Sequence, residues 1–253
     1  MTRTTRAVLP ADLEAGLKRL KLATIRREAP DVLLTAKTQR WAPEETLRVL
    51  VDLEIAARDR SNTRNRMNAA RFPIDKTFDE FHLAESSIPR ASHDYLITLD
   101  WIGRADNLCL VGPAGTGKTH YLIALGRAAV EAGHKVRYFT AIDLVEHLYR
   151  AVADNTVGRA IEAVCRNELI IIDEIGFAPL DHTGCQLLFR LIAAAYERRS
   201  IAIASHSPFE NWGRFLPDQP TAVSLLDRLC HHAHIITTSG DSYRLTHRTT
   251  GGV

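Results

Sequence analysis

Apolar positions along this chain follow two rhythms, and the change between them divides it. Over residues 1–70 they recur at helical spacing: Leu13, Leu17, Leu20 and Ile25 form a stripe that Pro30 is expected to close. Pro43 then opens a second helix with Glu44 and Glu45 in its first turn, where the helix dipole favours acids. Its stripe is Leu47, Leu50, Val51 and Ile55. Beyond Ala57 the stripe gives way to Arg58, Arg60, Arg64, Arg66 and Arg71, with Asp59 the only acid among them. From Phe72 to Pro89 the periodicity stops, and prolines with polar residues mark a connector over residues 71–90.

Residues 91–253 read differently. A short helix around Leu96, Leu99 and Ile102 comes first, and short β-rich runs then alternate with amphipathic helices. The runs are Leu108–Val111, Val136–Phe139, Leu169–Ile172, Ile201–Ala204 and Ile235–Thr238, with Gly133 as a C-cap between the first long helix and the second run. Such alternation predicts an α/β fold, a buried parallel sheet flanked by helices with ligands at the carboxyl ends of its strands. The expected order is a small all-helical N-terminal domain (1–70), the connector (71–90) and an α/β domain (91–253).

One loop in that domain carries specific chemistry. Gly112-Pro113-Ala114-Gly115-Thr116-Gly117-Lys118-Thr119 follows the first apolar run and leads into the helical pattern from Tyr121 to Glu131. A glycine-rich loop at a helix N-terminus turns its amides toward an anion, Lys118 can reach the β- and γ-phosphates, and the Thr119 hydroxyl can ligate magnesium. Leu169-Ile170-Ile171-Ile172-Asp173-Glu174 describes a buried strand delivering two carboxylates to the same sheet edge. Alone, it would read as a strand ending in solvated acids. Downstream of a phosphate loop, Asp173 is placed to hold magnesium and Glu174 to orient the attacking water. Ser205-His206 follows another run, so His206 can sense the γ-phosphate, position water, or serve local hydrogen bonding only.

Phosphoryl transfer gains from a cation near the γ-phosphate, often supplied by a neighbouring subunit. Arg228 and Arg244 are the candidates, and the sequence leaves open whether each is catalytic or paired with Asp227 or Asp241. Cys230-His231-His232-Ala233-His234 lacks a second half with metal-ligand spacing and reads as the end of a packed helix.

The chain has 253 residues, 45% apolar and 25% charged, enough for one or two domains with their own cores. No apolar run approaches the roughly 18 residues of a membrane span, and Met1 to Arg6 lack the apolar segment of a secretory signal. Cys109, Cys165, Cys185 and Cys230 show no close pairing, so a cytoplasmic protein with reduced thiols is expected. The net charge of +2 hides an asymmetry: residues 1–70 hold 14 Lys and Arg against 9 Asp and Glu, the remainder 18 against 21. A basic smaller part suggests an anionic partner. A solvated helix face is the default for charged residues, yet five arginines with one acid in a nucleotide-binding chain favour nucleic-acid phosphates. Nothing resembles a base-reading motif, so little sequence preference is expected.

With these residues assembled, the chain resembles the IstB-like transposition helper ATPases, relatives of the bacterial helicase loaders in the AAA+ superfamily, over nearly its whole length. In the N-terminal part the resemblance rests on Leu20-Lys21-Leu22, Thr24-Ile25-Arg26, Ala69-Ala70-Arg71-Phe72-Pro73 and Lys76-Thr77. In the core it rests on Gly112 to His120, Asp173-Glu174-Ile175-Gly176 with Pro179-Leu180, and Pro208-Phe209-Glu210-Asn211-Trp212-Gly213. At the end it rests on Leu225-Leu226-Asp227-Arg228-Leu229, the His231–His234 run and Gly240-Asp241-Ser242-Tyr243-Arg244-Leu245.

The resemblance implies an AAA+ P-loop sheet that binds ATP with Mg2+. It further implies a homo-oligomer formed with ATP and DNA, assembly on double-stranded DNA with little sequence preference, delivery of that target to a partner transposase, and reset by ATP hydrolysis. It assigns Lys118, Thr119, Asp173 and Glu174 the roles given above, includes His120 in the loop motif, and favours Arg228 as the trans-acting finger. Relatives commonly carry Asn where this chain has His206. The chain also ends soon after Arg244, so the separate helical lid of many AAA+ proteins is not expected. A replicative helicase loader, whose N-terminal helices grip a helicase, is the alternative, and the arginine cluster favours DNA over it. A small-molecule kinase would need an acceptor site and lid arginines, and no segment reads as either.

Overall fold

The structure, a computed structural model, describes residues 8–240 together with Ser242 and Tyr243. It divides into two compact units, Met1–Asn65 and Arg66–Val253.

In the first unit, α1 (Ala11–Arg19) and α2 (Ala23–Gln39) are separated by Lys21 at φ 57°. The Leu22 amide bonds the Leu17 carbonyl at 2.9 Å and the Lys21 amide bonds the Lys18 carbonyl at 3.0 Å, closing α1 with a lysine where glycine is usual. The break therefore falls at Lys21, and the expectation that Pro30 ends the segment is corrected: Pro30 lies inside α2. Its missing amide leaves the Arg26 carbonyl without a helical donor, a penalty of about 3 kcal/mol. The flanking turns bury Ala29 and Ala36, and that packing keeps the segment helical.

Helix α3 (Pro43–Ala70) starts with Glu44 and Glu45 in its first turn. Its Glu54 is buried and accepts from the Thr24 and Ile25 amides at 2.9 and 3.0 Å, covering donors at the start of α2 that Leu22 cannot satisfy. Burial pushes the Glu54 carboxyl up. The Ile25 amide, the Arg58 guanidinium and the Thr24 amide outweigh it and hold the pKa below the ordinary glutamate value.

In the second unit the short helix expected around Leu96–Ile102 is two, α4 (Arg90–Leu96) and α5 (Asp100–Gly103), parted by Leu99 at φ 62°. That turn brings Leu96, Trp101 and Ile102 into the core. The five runs form β1 (Asn107–Val111), β2 (Val136–Thr140), β3 (Leu169–Ile175), β4 (Ser200–Ser205) and β5 (Ala233–Thr237), all parallel in the order β2-β3-β4-β1-β5. Side chains alternate between the two faces. Leu108, Leu110, Leu169 and Ile171 point to α6 (Lys118–Glu131), and Cys109, Val111, Ile170 and Ile172 point the other way. The second face is covered by α7 (Ala141–Ala153), α8 (Val157–Val164), α9 (His182–Ala195) and α10 (Gln219–Cys230).

Residues 71–90 join the α6 layer. Phe78 and Phe81 pack edge-on against Tyr121 at 5.3 and 5.4 Å, and Phe72 meets Tyr138 at 6.2 Å. Among the described residues no helix is long and apolar enough to cross a membrane.

Candidate functional site

The site lies wholly within the second unit, where β1 and β3 deliver their carboxyl ends side by side with β4 between them. After Val111 the chain turns at Gly112, where a Cβ would collide with the Thr238 carbonyl oxygen, so only glycine fits. Gly117, at φ 87°, then turns the chain into α6 as its N-cap. Between them the loop's amides are left facing a cavity of about 820 Å³. Lys118 is buried beneath the loop, its Nζ donating to the Gly112 and Pro113 carbonyls at 2.7 and 2.6 Å. The ammonium is thereby fixed under the anion cradle. Ala114, Gly115, Thr116, Gly117, Lys118 and Thr119 all line the cavity. His120 lines it too, but its Nε2 is tied to the Thr77 carbonyl at 2.9 Å.

β3 does not stop at Ile172, as the run length suggested, but continues to Ile175 through an irregularity in its pairing with β4. Asp173 is 2% exposed and has both oxygens engaged: Oδ2 accepts from the Tyr138 hydroxyl and Oδ1 from the Glu174 amide, each at 2.8 Å. Burial and the facing Asp173 carboxylate raise the Tyr138 pKa, so the phenol stays a donor. Glu174 sits at φ 59°, a conformation costly for a residue with a Cβ, and is exposed while its neighbours are buried. That twist sets two adjacent carboxylates to different tasks, one held in the wall and the other turned into the cavity.

His206 follows β4 and lines the same cavity. It is presented by a turn in which the Ser205 hydroxyl donates to the Ser207 carbonyl at 2.7 Å and accepts from the Ser207 amide at 3.1 Å. Buried Trp212 anchors this turn through Nε1 to the Ser207 carbonyl at 3.2 Å. The Pro-Phe-x-x-Trp-Gly element is thus a brace for the residue after β4.

Sequence reasoning missed two contributors. The opposite wall comes from the segment read as a connector, with Ile74, Phe81 and His82 among its lining residues. The signal was three phenylalanines in a stretch without periodicity. Tyr138 was also missed, because only the register of β2 on β3 places it beside Asp173.

Other candidates lie elsewhere. Arg228, on α10, donates to the Ser224 carbonyl at 3.1 Å, stacks on the Phe189 ring at 5.0 Å and is not among the residues lining the cavity. Arg244 and Asp241 fall outside the described residues. The neighbouring Tyr243 bonds the Gly115 carbonyl through its amide at 3.1 Å. Arg58, Arg60 and Arg64 are exposed on α3 in the first unit, whereas Arg66 and Arg71 belong to the second. Arg58 is partly committed, with Nε to Glu54 at 3.0 Å and a guanidinium nitrogen to the Lys21 carbonyl at 3.1 Å.

Residues 15–251 match the family described as IstB-like ATP binding protein. The chain belongs to this family. Among IstB-like relatives it is 33% identical over 243 residues to the IS21 insertion-sequence ATP-binding protein of Pseudomonas aeruginosa, covering 96% of this chain and 92% of that one. It is 34% identical over 211 residues to the IS5376 insertion-sequence ATP-binding protein of Geobacillus stearothermophilus, covering 83% and 84%. Solved structures similar in fold include AMPPCP-bound DnaA from Aquifex aeolicus, at a TM-score of 0.53 and 19% identity over 65% of this chain and 50% of that one. DnaI is similar at a TM-score of 0.54 and 13% identity over 65% and 91%. This IstB-like chain has the AAA+ P-loop fold.

Proposed function

We propose that this protein is an ATP-hydrolysing transposition helper, which assembles on duplex DNA as a homo-oligomer and presents that DNA to a partner transposase. The observation that carries the reading is the convergence of Lys118, Thr119, Asp173 and Glu174 on one cavity at the carboxyl edge of a parallel sheet. Relatives named for insertion sequences support the setting. The basic cluster supports a phosphate-binding role: Arg58, Arg60 and Arg64 are exposed on α3, Arg66 is half-buried on it and Arg71 is exposed just beyond it, and all five meet the DNA backbone in this reading.

In this reading the loop amides and Lys118 bind the phosphates. The hydroxyl of Thr119 and the carboxylate of Asp173 are hard oxygen donors of the kind Mg2+ takes, and each Asp173 oxygen keeps a lone pair beyond its hydrogen bond. When bound, the ion would neutralise charge on the β- and γ-phosphates. Glu174 orients the attacking water, His206 contacts the γ-phosphate side, and Arg228 serves a neighbouring subunit's site, consistent with its absence from the residues lining its own cavity. Hydrolysis then releases the assembly.

Glu174→Gln tests this. ATP binding should persist while turnover falls about 100-fold or more, the usual contribution of a positioned proton acceptor. DNA-bound assemblies should accumulate in electron micrographs. A chain that stays monomeric and ignores duplex DNA with or without Mg-ATP refutes the proposal.

A further inference from the structure

The histidine run after α10 takes no part in the nucleotide site, and the fold gives it the partner that its sequence lacks. Strands β4 and β5 begin at Ser200 and Ala233, so the turns entering them lie at the amino-terminal edge of the sheet, opposite the phosphate loop. One turn carries Glu197, the other His231 and His232. A ligand atom from each of the three lies within 4.8 Å of the others. The two imidazole rings pack at 4.1 Å, and the Tyr196 hydroxyl meets His231 Nδ1 at 2.7 Å.

This arrangement is held by the core rather than by the surface. Buried Asn107, at the start of β1, donates through Nδ2 to the Leu229 carbonyl at 2.9 Å and accepts through Oδ1 from the Ile201 amide at 2.9 Å. Its own amide bonds the His232 carbonyl at 2.7 Å. One side chain therefore locks the exit of α10 to the entry of β4. Glu197 is kept at φ 54°, a left-handed conformation that costs about 1 kcal/mol or more without glycine. The last carbonyls of α9 and α10 add negative potential, which favours a cation.

We propose that Glu197, His231 and His232 bind a zinc-class divalent transition ion, with Tyr196 positioning His231. Two imidazoles and a carboxylate suit Zn2+ rather than Mg2+ or Ca2+, and the exposure of all three leaves room for water to complete a tetrahedral set. A hydrogen bond from the Nδ1 proton to Tyr196 is the outer-shell contact that leaves Nε2 basic. The ion bridges the α9–β4 turn and the α10–β5 turn.

Calorimetric titration of untagged full-length protein with ZnCl2, under reducing conditions and without nucleotide, tests the proposal. One ion per chain is expected. His231→Ala with His232→Ala should weaken binding at least about 100-fold, and Tyr196→Phe about tenfold, the range for an outer-shell partner. Glu197→Gln, a milder change at an exposed position, should also weaken it, and Cys230→Ser should leave it intact. ATP affinity serves as the folding control. A flat titration, unchanged affinity in the double histidine variant, or loss of binding in Cys230→Ser would overturn the assignment.

Discussion

The two units of this chain are stabilised in different ways. In the second, both faces of a five-stranded sheet are sealed by helices, and Leu108, Leu110, Leu169 and Ile171 are fully buried. Burial on that scale is worth about 1.5–3 kcal/mol for each large side chain. In the first unit α1 buries nothing, and Leu20, Leu47 and Ile55 are 68%, 63% and 51% exposed. A sheet buried on both sides can hold a strained Glu174 and a buried Lys118 in fixed places. A thin helical unit depends instead on individual polar ties such as Glu54, and its apolar stripe is open to other molecules.

The sharpest break of this comparison is at Lys118. Lys118→Ala removes a charge fixed beneath the loop and should weaken ATP binding about 100-fold, as expected for a charge-assisted contact of 1.5–3 kcal/mol. Fluorescent nucleotide titration reads the change. The helices of the first unit should keep their circular-dichroism signal. Unchanged affinity would remove the loop from the phosphate site.

Legibility in the sequence followed the same division. The strands were readable because a sheet buried on both faces needs uninterrupted apolar runs, and the loop because only glycines fit beside Thr238 and at the entry to α6. Tyr138 was not readable, since its role comes from strand register and β2 lies far from β3 in sequence. The break at Lys21 was hidden because lysine carries no turn signal, whereas Pro30 carries a strong one that packing overrode. The connector's part in the cavity was hidden because aromatic anchors without periodicity resemble a linker.

Tyr138→Phe keeps the ring packing and removes only the hydrogen bond to Asp173. The Mg2+ concentration for half-maximal ATP hydrolysis should rise about tenfold, with kcat at saturating Mg2+ little changed, as for an outer-shell partner of a metal ligand. A fall in kcat with no change in Mg2+ requirement would give Tyr138 a purely structural role. Arg64→Ala with Arg66→Ala should lower DNA affinity and reduce the slope of log K against log salt by about 1.8, roughly 0.9 for each phosphate that is no longer neutralised. Equal affinity at every salt concentration would move the DNA surface elsewhere.

Glu54 probes the thinner unit most finely. Because its folded pKa is depressed, its carboxylate adds stability that is fully present above the ordinary glutamate value and is lost as pH falls through the lower folded value. The Thr24 and Ile25 amides should therefore lose protection in acid, measured relative to the intrinsic exchange rate at each pH, while amides of β1 and β3 stay protected. Glu54→Gln keeps the shape but removes the charge, and at neutral pH it should speed exchange at those two amides about tenfold, the equivalent of roughly 1.4 kcal/mol. It should also abolish their acid sensitivity. If that sensitivity persisted in Glu54→Gln, another acid would be holding the start of α2, and the first unit would have a tie that these hydrogen bonds do not account for.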